Sequence, residues 1–127
     1  MLILDTWHWV RADQSYDILT EEQAKKVISI QINDAYERPY AKTILKDESM
    51  HDRLAPGTGA KDTAGFVKMI KEAGIDPKVV GVEVISDEIL SRGLKEAAAH
   101  TYDNTVKVLK EAWPEILEAL KRYIIHK

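Results

Sequence analysis

The stretch Val79-Val80-Gly81-Val82-Glu83-Val84-Ile85 decides the fold, because its β-branched residues are interrupted only by one glycine and one carboxylate. A run without alternation of apolar and polar residues indicates a strand buried on both faces, as parallel sheets require. The run Leu2-Ile3-Leu4-Asp5 shares this character, and the run Val27-Ile28-Ser29-Ile30-Gln31-Ile32 is dense in β-branched residues. These three runs predict strands of one buried sheet.

Patterns typical of helices separate and follow these strands. Thr20 and Gln23 have the spacing of a capping box, which predicts a short helix there. Asp62 can cap the next helix and Gly74 can close it. A long helix is predicted from about Leu94 to Ala112, and Pro114 starts the last helix. The predicted inward positions are Phe66, Val67, Met69 and Ile70, then Ala97, Ala98, Thr101, Val108 and Leu109, and finally Ile116, Leu117, Leu120 and Ile124.

Strands that alternate with helices predict an α/β fold with three or four βα units and a parallel sheet. The long polar segment from Tyr36 to Gly59 is expected to hide a short strand near Met50 to Leu54, because connections of that length usually contain an element or a functional loop. A complete (β/α)8 barrel needs roughly 200 residues or more, so 127 residues correspond to about half of one.

Composition excludes several classes of protein. With 18 basic and 21 acidic residues the net charge is −3, which argues against a dominant nucleic-acid surface. No apolar run approaches the roughly 20 residues of a membrane span. The absence of cysteine removes thiolate chemistry and Cys-based zinc sites, and it fits a reducing cytoplasm. We expect one small, soluble, cytoplasmic domain.

Polar residues occur near the carboxyl end of each predicted strand: Asp5, Gln31 and Glu83. In parallel α/β folds that end carries the active site. A carboxylate within an apolar strand must be compensated by a metal ion, an arginine or a lysine. Two carboxylates and an amide oxygen suit Mg²⁺ or Mn²⁺, whereas an added histidine would favour Zn²⁺. The alternative is that such an acid only caps a helix or forms a salt bridge.

Three further features lie close to these positions in the sequence or in the predicted fold. His8, between Trp7 and Trp9, suits a ligand, a hydrogen-bond donor to substrate or an acid/base group, although a histidine in that setting is more often packed. The two tryptophans suit either packing or stacking on a sugar. Arg53 precedes the turn Pro56-Gly57-Thr58-Gly59, and such a turn beside an arginine can bind an anion or polyol hydroxyls, although most such turns are only turns.

The chain resembles the xylose isomerase-like TIM barrels. The resemblance is carried, in order, by LILDTWHW (2–9), ISIQINDA (28–35), DRLAPGTGAKDTAGFVKMIKEAG (52–74), VVGVEVIS (79–86) and YDNTVKVLKEA (102–112). It covers nearly all 127 residues as a single C-terminal half-barrel domain, about strands five to eight. The fold class implied is therefore α/β, half of a (β/α)8 TIM barrel. The superfamily includes sugar phosphate isomerases and epimerases, inosose dehydratases and AP endonucleases.

The resemblance also implies roles for individual residues. Asp5, Gln31 and Glu83 correspond to metal ligands, with Glu83 also moving the proton. His8 is implied as a catalytic and substrate-contacting residue, Arg53 as a ligand of a substrate hydroxyl or phosphate, and Trp7 is a further substrate-binding candidate. The position of Gln31 is often a histidine in the family, so we expect Mn²⁺ or Mg²⁺ rather than Zn²⁺.

The function implied is a divalent-metal-dependent isomerase or epimerase that acts on a sugar, keto-sugar or polyol by proton transfer next to a carbonyl. A dehydratase of the inosose type on the same scaffold is the alternative, and an inactive, self-associating half-barrel is another. His51-Asp52-Arg53 does not match the AP endonuclease ligands in register, so we expect no nucleic-acid substrate.

The family's remaining metal-binding glutamate lies in the N-terminal half of the barrel, which this chain lacks. A half-barrel exposes an apolar sheet edge and helix faces. The chain is therefore expected to be a truncated product of a longer gene, to pair with a separate N-terminal half, or to form a homo-oligomer.

Overall fold

The computed structural model describes residues 1–37 and 44–125, with side chains as far as residue 119. The elements, in chain order, are β1 (Leu2–Asp5), α1 (Thr6–Arg11), α2 (Glu21–Ala24), β2 (Val27–Ile32), α3 (Leu45–His51), α4 (Thr63–Glu72), β3 (Val79–Val82), α5 (Asp87–Ser91), α6 (Leu94–Ala112) and α7 (Pro114–Ile125). The alternation of strands and helices confirms the α/β class.

The three strands form one parallel sheet in the order β1-β2-β3. Asp5 pairs with Gln31, and Gln31 pairs with Gly81, so these residues form one row across the sheet. Because all strands run in the same direction, their carboxyl ends meet at one edge. The polar positions predicted from the sequence therefore share that edge.

The two faces of the sheet have different surroundings. Ile30 and Ile32 are fully buried under the helices. Side chains alternate between the two faces of a strand, so Asp5 and Gln31 lie on the face opposite to Ile30 and Ile32. The preceding row on that same face is formed by Ile3, Ser29 and Val79. On that face Ile3 is 58% exposed and Val79 is 57% exposed. We call it the open face.

The helix-covered face holds the main core. The fully buried apolar side chains of α4 are Phe66, Val67 and Ile70, and α6 adds the buried Val108 and Leu109. Trp9 and Tyr16 contact the ring of Phe66 edge to face, at centroid distances of 6.1 and 6.3 Å. Each fully buried aliphatic or aromatic side chain contributes about 1.5–3 kcal/mol, so this layer fixes the sheet against the helices.

Most of the predicted elements are confirmed. β1 and β2 have the predicted bounds, the capping box of Thr20 and Gln23 is present, and α6 spans Leu94–Ala112. Asp62 accepts a hydrogen bond from Gly65 N at the start of α4. Gly74 follows α4 with φ +72°, a conformation that glycine adopts without strain.

Three details differ from the predictions. β3 ends at Val82, so Glu83 lies just beyond the strand. Ala98 is exposed and Thr101 only half-buried, because the inward face of α6 passes through Ala97 and Thr105 instead. Leu120 and Ile124 lie outside the described side chains.

The strand predicted near Met50 to Leu54 was wrong. The segment Leu45–His51 is helix α3, and Asp52 and Leu54 form only isolated antiparallel bridges, with Ser86 and Asp34 respectively. The buried Glu48 on α3 accounts for the difference, since a helix turns it inward to meet Arg11. Within the described ranges, no helix has the length and apolar character to cross a membrane.

Candidate functional site

Two carboxylates and one guanidinium meet at the carboxyl edge of the sheet. Arg53 Nη1 donates to Asp5 Oδ2 at 3.2 Å and to Glu83 Oε2 at 2.8 Å. The side chains of Asp5 and Arg53 are 6% and 4% exposed, whereas that of Glu83 is 40% exposed. The compensation expected for these carboxylates is therefore present, and an arginine supplies it.

Arg53 is held in place by its own backbone. The segment from Asp52 to Leu54 crosses the ends of β2 and β3. Arg53 N donates to Ile85 O at 3.0 Å, and Leu54 exchanges two backbone hydrogen bonds with Asp34. The side chain is anchored by a hydrogen bond of 2.8 Å from Nε to Ser49 O.

The ring of Trp7 packs against the guanidinium of Arg53. The central carbon of the guanidinium lies 5.3 Å from the centroid of the Trp7 ring, within the range of a cation–π contact. Trp7 is 4% exposed, and its Nε1 donates to Glu48 Oε1 at 3.4 Å. Arg11 Nε donates to the same oxygen at 3.0 Å, which compensates the buried Glu48. Trp7 thus lies beneath Arg53, and its predicted contact with substrate stays a prediction.

Asn33 is a site residue that the sequence reasoning missed. Its Nδ2 donates to Asp5 Oδ2 at 3.1 Å and to Glu83 O at 3.2 Å, and so links the ends of β1 and β3. Its buried Oδ1 has no hydrogen-bond partner within the described residues. The signal was available, since Asn33 follows Gln31 by two positions and therefore continues the same face of β2.

Gln31 and His8 flank this cluster. Gln31 lies between Asp5 and Gly81 in the row across the sheet, and a methyl group on Gly81 would meet Gln31 Cγ at 3.6 Å. Asp5 also caps α1, because its Oδ1 accepts from His8 N at 3.1 Å. The His8 side chain is exposed, and its ring contacts that of Trp7 edge to face at 5.0 Å.

The backbone around the glycine-rich turn, residues 56–59, binds the carboxylate of Asp34. The carboxylate of Asp34 accepts backbone hydrogen bonds from Ala35, Gly59 and Lys61 at 2.7, 3.0 and 3.1 Å. Burial raises the pKa of Asp34 above its usual range, and these hydrogen bonds offset part of that rise. A side chain on Gly59 would collide with Asp34 Oδ1 and Ala35 O at 2.5 Å. The turn therefore folds around Asp34.

The donor atoms at the edge fit a hard divalent cation. Asp5 and Glu83 already share a cation, the Arg53 guanidinium, which acts as a stand-in ion between their oxygens. Within the described ranges, no group of three or more His, Cys, Asp or Glu residues has the geometry of a metal site. Mg²⁺ and Mn²⁺ are commonly bound by one or two carboxylates, with water and substrate as further ligands. The two carboxylates meet that requirement, and Gln31 lies beside Asp5 in the same row of the sheet.

The chain was compared with known proteins. No protein-family model matches the sequence, and no curated protein matches it. Solved structures that are similar to the chain include the following two. The first is the IOLI protein, whose crystal structure contains a bound zinc atom; it is 27% identical with a TM-score of 0.73, over 88% of this chain and 38% of that one. The second is a xylose isomerase-like TIM barrel/4-hydroxyphenylpyruvate dioxygenase fusion protein, 23% identical with a TM-score of 0.60, over 81% of this chain and 15% of that one.

These similarities, together with the parallel sheet, define the class of protein as an α/β chain with the architecture of part of a TIM barrel. The resemblance to the xylose isomerase-like TIM barrels, predicted from the sequence, is confirmed. The chain spans 38% of the IOLI protein and 15% of the fusion protein. The numbering of its strands as five to eight of a barrel stays a prediction.

Proposed function

We propose that this chain carries part of the active site of an isomerase or epimerase that moves a proton next to the carbonyl of a sugar, keto-sugar or polyol. One observation carries the proposal: Asp5, Gln31, Arg53 and Glu83 converge at the carboxyl edge of a parallel sheet. The likeness to a sugar isomerase-type scaffold supports it, and so does the zinc atom of the IOLI protein. The strands are proposed to lie among the fifth to eighth strands of the barrel.

The proposed cofactor is a divalent ion held by Asp5, Gln31 and Glu83, with Mn²⁺ or Mg²⁺ favoured over Zn²⁺ because all three donors are oxygens. When bound, such an ion polarises the substrate carbonyl and so acidifies the neighbouring C–H. The remaining ligands would come from water, substrate or a carboxylate of the rest of the barrel.

The protein's own residues have distinct proposed tasks. Glu83 removes and returns the proton, because it is the carboxylate whose side chain reaches solvent. Asp5 is buried and accepts hydrogen bonds from His8 N and Asn33 Nδ2 in addition to the one from Arg53, which suits a fixed ligand. Arg53 and the exposed His8 orient the oxygens of the substrate, and Trp7 supports the guanidinium from below.

Proton transfer next to a carbonyl has a direct readout, the exchange of substrate C–H for C–D in D₂O. We expect the chain, together with the rest of its barrel, to catalyse this exchange on a ketose in the presence of MnCl₂. Glu83→Gln should abolish the exchange with the fold intact, whereas Glu88→Gln, a matched change on exposed α5, should not reduce it. Retention of exchange by Glu83→Gln would exclude this role. Formation of an enone chromophore instead would identify the dehydratase.

The open face supports a second proposal, that the chain works only in association, as a homo-oligomer or with a separate N-terminal half. Ile3 and Val79 are more than half exposed in the chain alone, although barrel strands normally bury both faces. Light scattering of the purified chain should then give a dimer or larger species. A stable, folded monomer would contradict the formation of a homo-oligomer. If neither the homo-oligomer nor the complex with an N-terminal half catalysed the exchange, the chain would have a purely structural role.

A further inference from the structure

The guanidinium of Arg53 lies where the proposed cation would bind. One atom, Nη1, contacts both carboxylates, at 3.2 Å from Asp5 Oδ2 and 2.8 Å from Glu83 Oε2. A metal ion between the same two oxygens would meet a positive charge within van der Waals distance. Both cations cannot use these oxygens at once, because like charges that close repel strongly where the side chains of Arg53 and Asp5 are buried.

We propose that Arg53 is an internal counter-cation that competes with the divalent ion for Asp5 and Glu83. The site then has two states, one with the guanidinium between the carboxylates and one with the metal ion there and the guanidinium displaced. This rests on the proposed function and adds a regulation of its metal site. In the first state the carboxylates are neutralised without metal, so the chain folds without it.

The contacts of Arg53 divide into an anchor and a movable part. Nε is held by Ser49 O, and the backbone by Ile85 O, independently of the carboxylates. Only Nη1 reaches Asp5 and Glu83. Because the guanidinium is a rigid plane, a change of the side-chain torsions that withdraws Nη1 from both oxygens also moves Nε away from Ser49 O. The backbone hydrogen bond from Arg53 N to Ile85 O keeps the residue itself in place.

The two carboxylates respond differently to that release. Asp5 keeps hydrogen bonds from Asn33 Nδ2 and His8 N, so it stays in place as a ligand. Glu83 is 40% exposed and has no other side-chain partner in the described part of the chain, so water can solvate it during the exchange. The low exposure of Arg53 itself keeps the competition strong, because a buried charge is poorly screened by salt.

The test is calorimetric titration of MnCl₂ into the purified chain, with no substrate present. Arg53→Gln should bind Mn²⁺ at least about tenfold more tightly than wild type, since it removes one positive charge beside the site. Arg53→Lys keeps the charge and should stay within about threefold of wild type. Arg53→Gln combined with Glu83→Gln should lose the gain, which would locate the metal at Glu83.

The wild-type chain provides a second measurement that does not depend on the stability of a variant. The Arg53 Nε–H and guanidinium NMR signals should move as MgCl₂ is added, because Nη1 leaves both carboxylates. Metal binding without any change in these signals would overturn the proposal, as would equal Mn²⁺ affinity in wild type and Arg53→Gln.

The outcomes also separate this proposal from the proposed function. Tighter Mn²⁺ binding by Arg53→Gln, together with no C–H exchange on any ketose, supports the competition and rejects the reaction. Equal Mn²⁺ affinities of wild type and Arg53→Gln, together with C–H exchange on a ketose, reject the competition and support the reaction. Absence of Mn²⁺ binding in both proteins overturns the competition and the metal-dependent form of the function together.

Discussion

Asp5 and Asp34 are both buried acids at the ends of neighbouring strands, and the protein compensates them in opposite ways. Asp34 accepts three hydrogen bonds from the backbone of Ala35, Gly59 and Lys61. Asp5 instead shares the guanidinium of Arg53 with Glu83. Backbone groups cannot leave without unfolding the turn, whereas a side chain can rotate away.

This difference separates an acid with a purely structural role, Asp34, from an acid whose counter-ion can be exchanged, Asp5. The hydrogen bonds of Asp34 hold the turn of residues 56–59 against the end of β2, and no cation takes part. The compensation of Asp5 is itself a cation, so another cation can replace it. Substitutions at the two acids and at their neighbours separate the two kinds of compensation.

Arg53→Met should have the largest effect on stability. It leaves the buried Asp5 without its cation, and breaking a buried pair in this way costs about 3 kcal/mol, at the low end of the known range because Glu83 is partly exposed. Urea unfolding would measure the loss. MnCl₂ should restore part of it, and the triple variant with Asp5→Asn and Glu83→Gln should be more stable than Arg53→Met. A loss below about 1 kcal/mol would contradict the assigned compensation.

Asp34→Ala should cost about 2 kcal/mol in the same experiment, because it leaves backbone N–H donors of the turn without their acceptor. Asp34→Asn keeps one acceptor oxygen and should cost less. In contrast to Arg53→Met, neither variant should recover stability with MnCl₂. Recovery of the stability of Asp34→Ala on addition of MnCl₂ would contradict the difference in compensation between Asp5 and Asp34.

Gly59→Ala and Gly81→Ala form a matched pair for the packing of the two regions. The added methyl group at Gly59 meets Ala35 O at 2.5 Å, so we expect a loss of about 1–2 kcal/mol from the forced shift. At Gly81 the nearest atom is Gln31 Cγ at 3.6 Å, an ordinary contact, and the change should stay within about 0.5 kcal/mol. Thermal unfolding compares them, and equal losses would refute the close fit of the turn around Asp34.

The smallest effect concerns pH. Burial, together with the charges of Asp62 and Asp34, raises the pKa of Tyr16 to about 12 from the ordinary 10.0. The unfolded chain loses this proton first, so stability that is present below pH 10 falls as the pH rises towards 12. Tyr16→Phe should make stability less dependent on pH in that interval. Ultraviolet titration should also show that Asp34→Asn lowers the pKa of Tyr16, and an unchanged value would exclude this coupling.

The sequence was sufficient for the elements that follow simple patterns. β1 is a short aliphatic run, β2 is rich in β-branched residues and α6 has helical periodicity, and their bounds were predicted from these features. The edge position of Asp5, Gln31 and Glu83 followed from strand direction alone. The expectation that a cation would compensate the two acids is also confirmed, and the cation is the guanidinium of Arg53.

Other features depend on contacts between segments far apart in the chain. α3 was missed because its inward residue is the charged Glu48, which is compatible with burial only after Arg11 and Trp7 have reached it. The pairing of Arg53 with both acids depends on the crossing of the segment from Asp52 to Leu54 over the ends of two strands. No spacing in the sequence encodes such a crossing.

The central claim is that Asp5 and Glu83 form a cation site now shared with Arg53. An anomalous difference map from crystals soaked in MnCl₂ tests it most directly. We expect a peak about 2.1–2.3 Å from oxygens of both carboxylates, with the Arg53 guanidinium moved away from them. A map with no peak there, or a peak with the guanidinium still between Asp5 and Glu83, would contradict it.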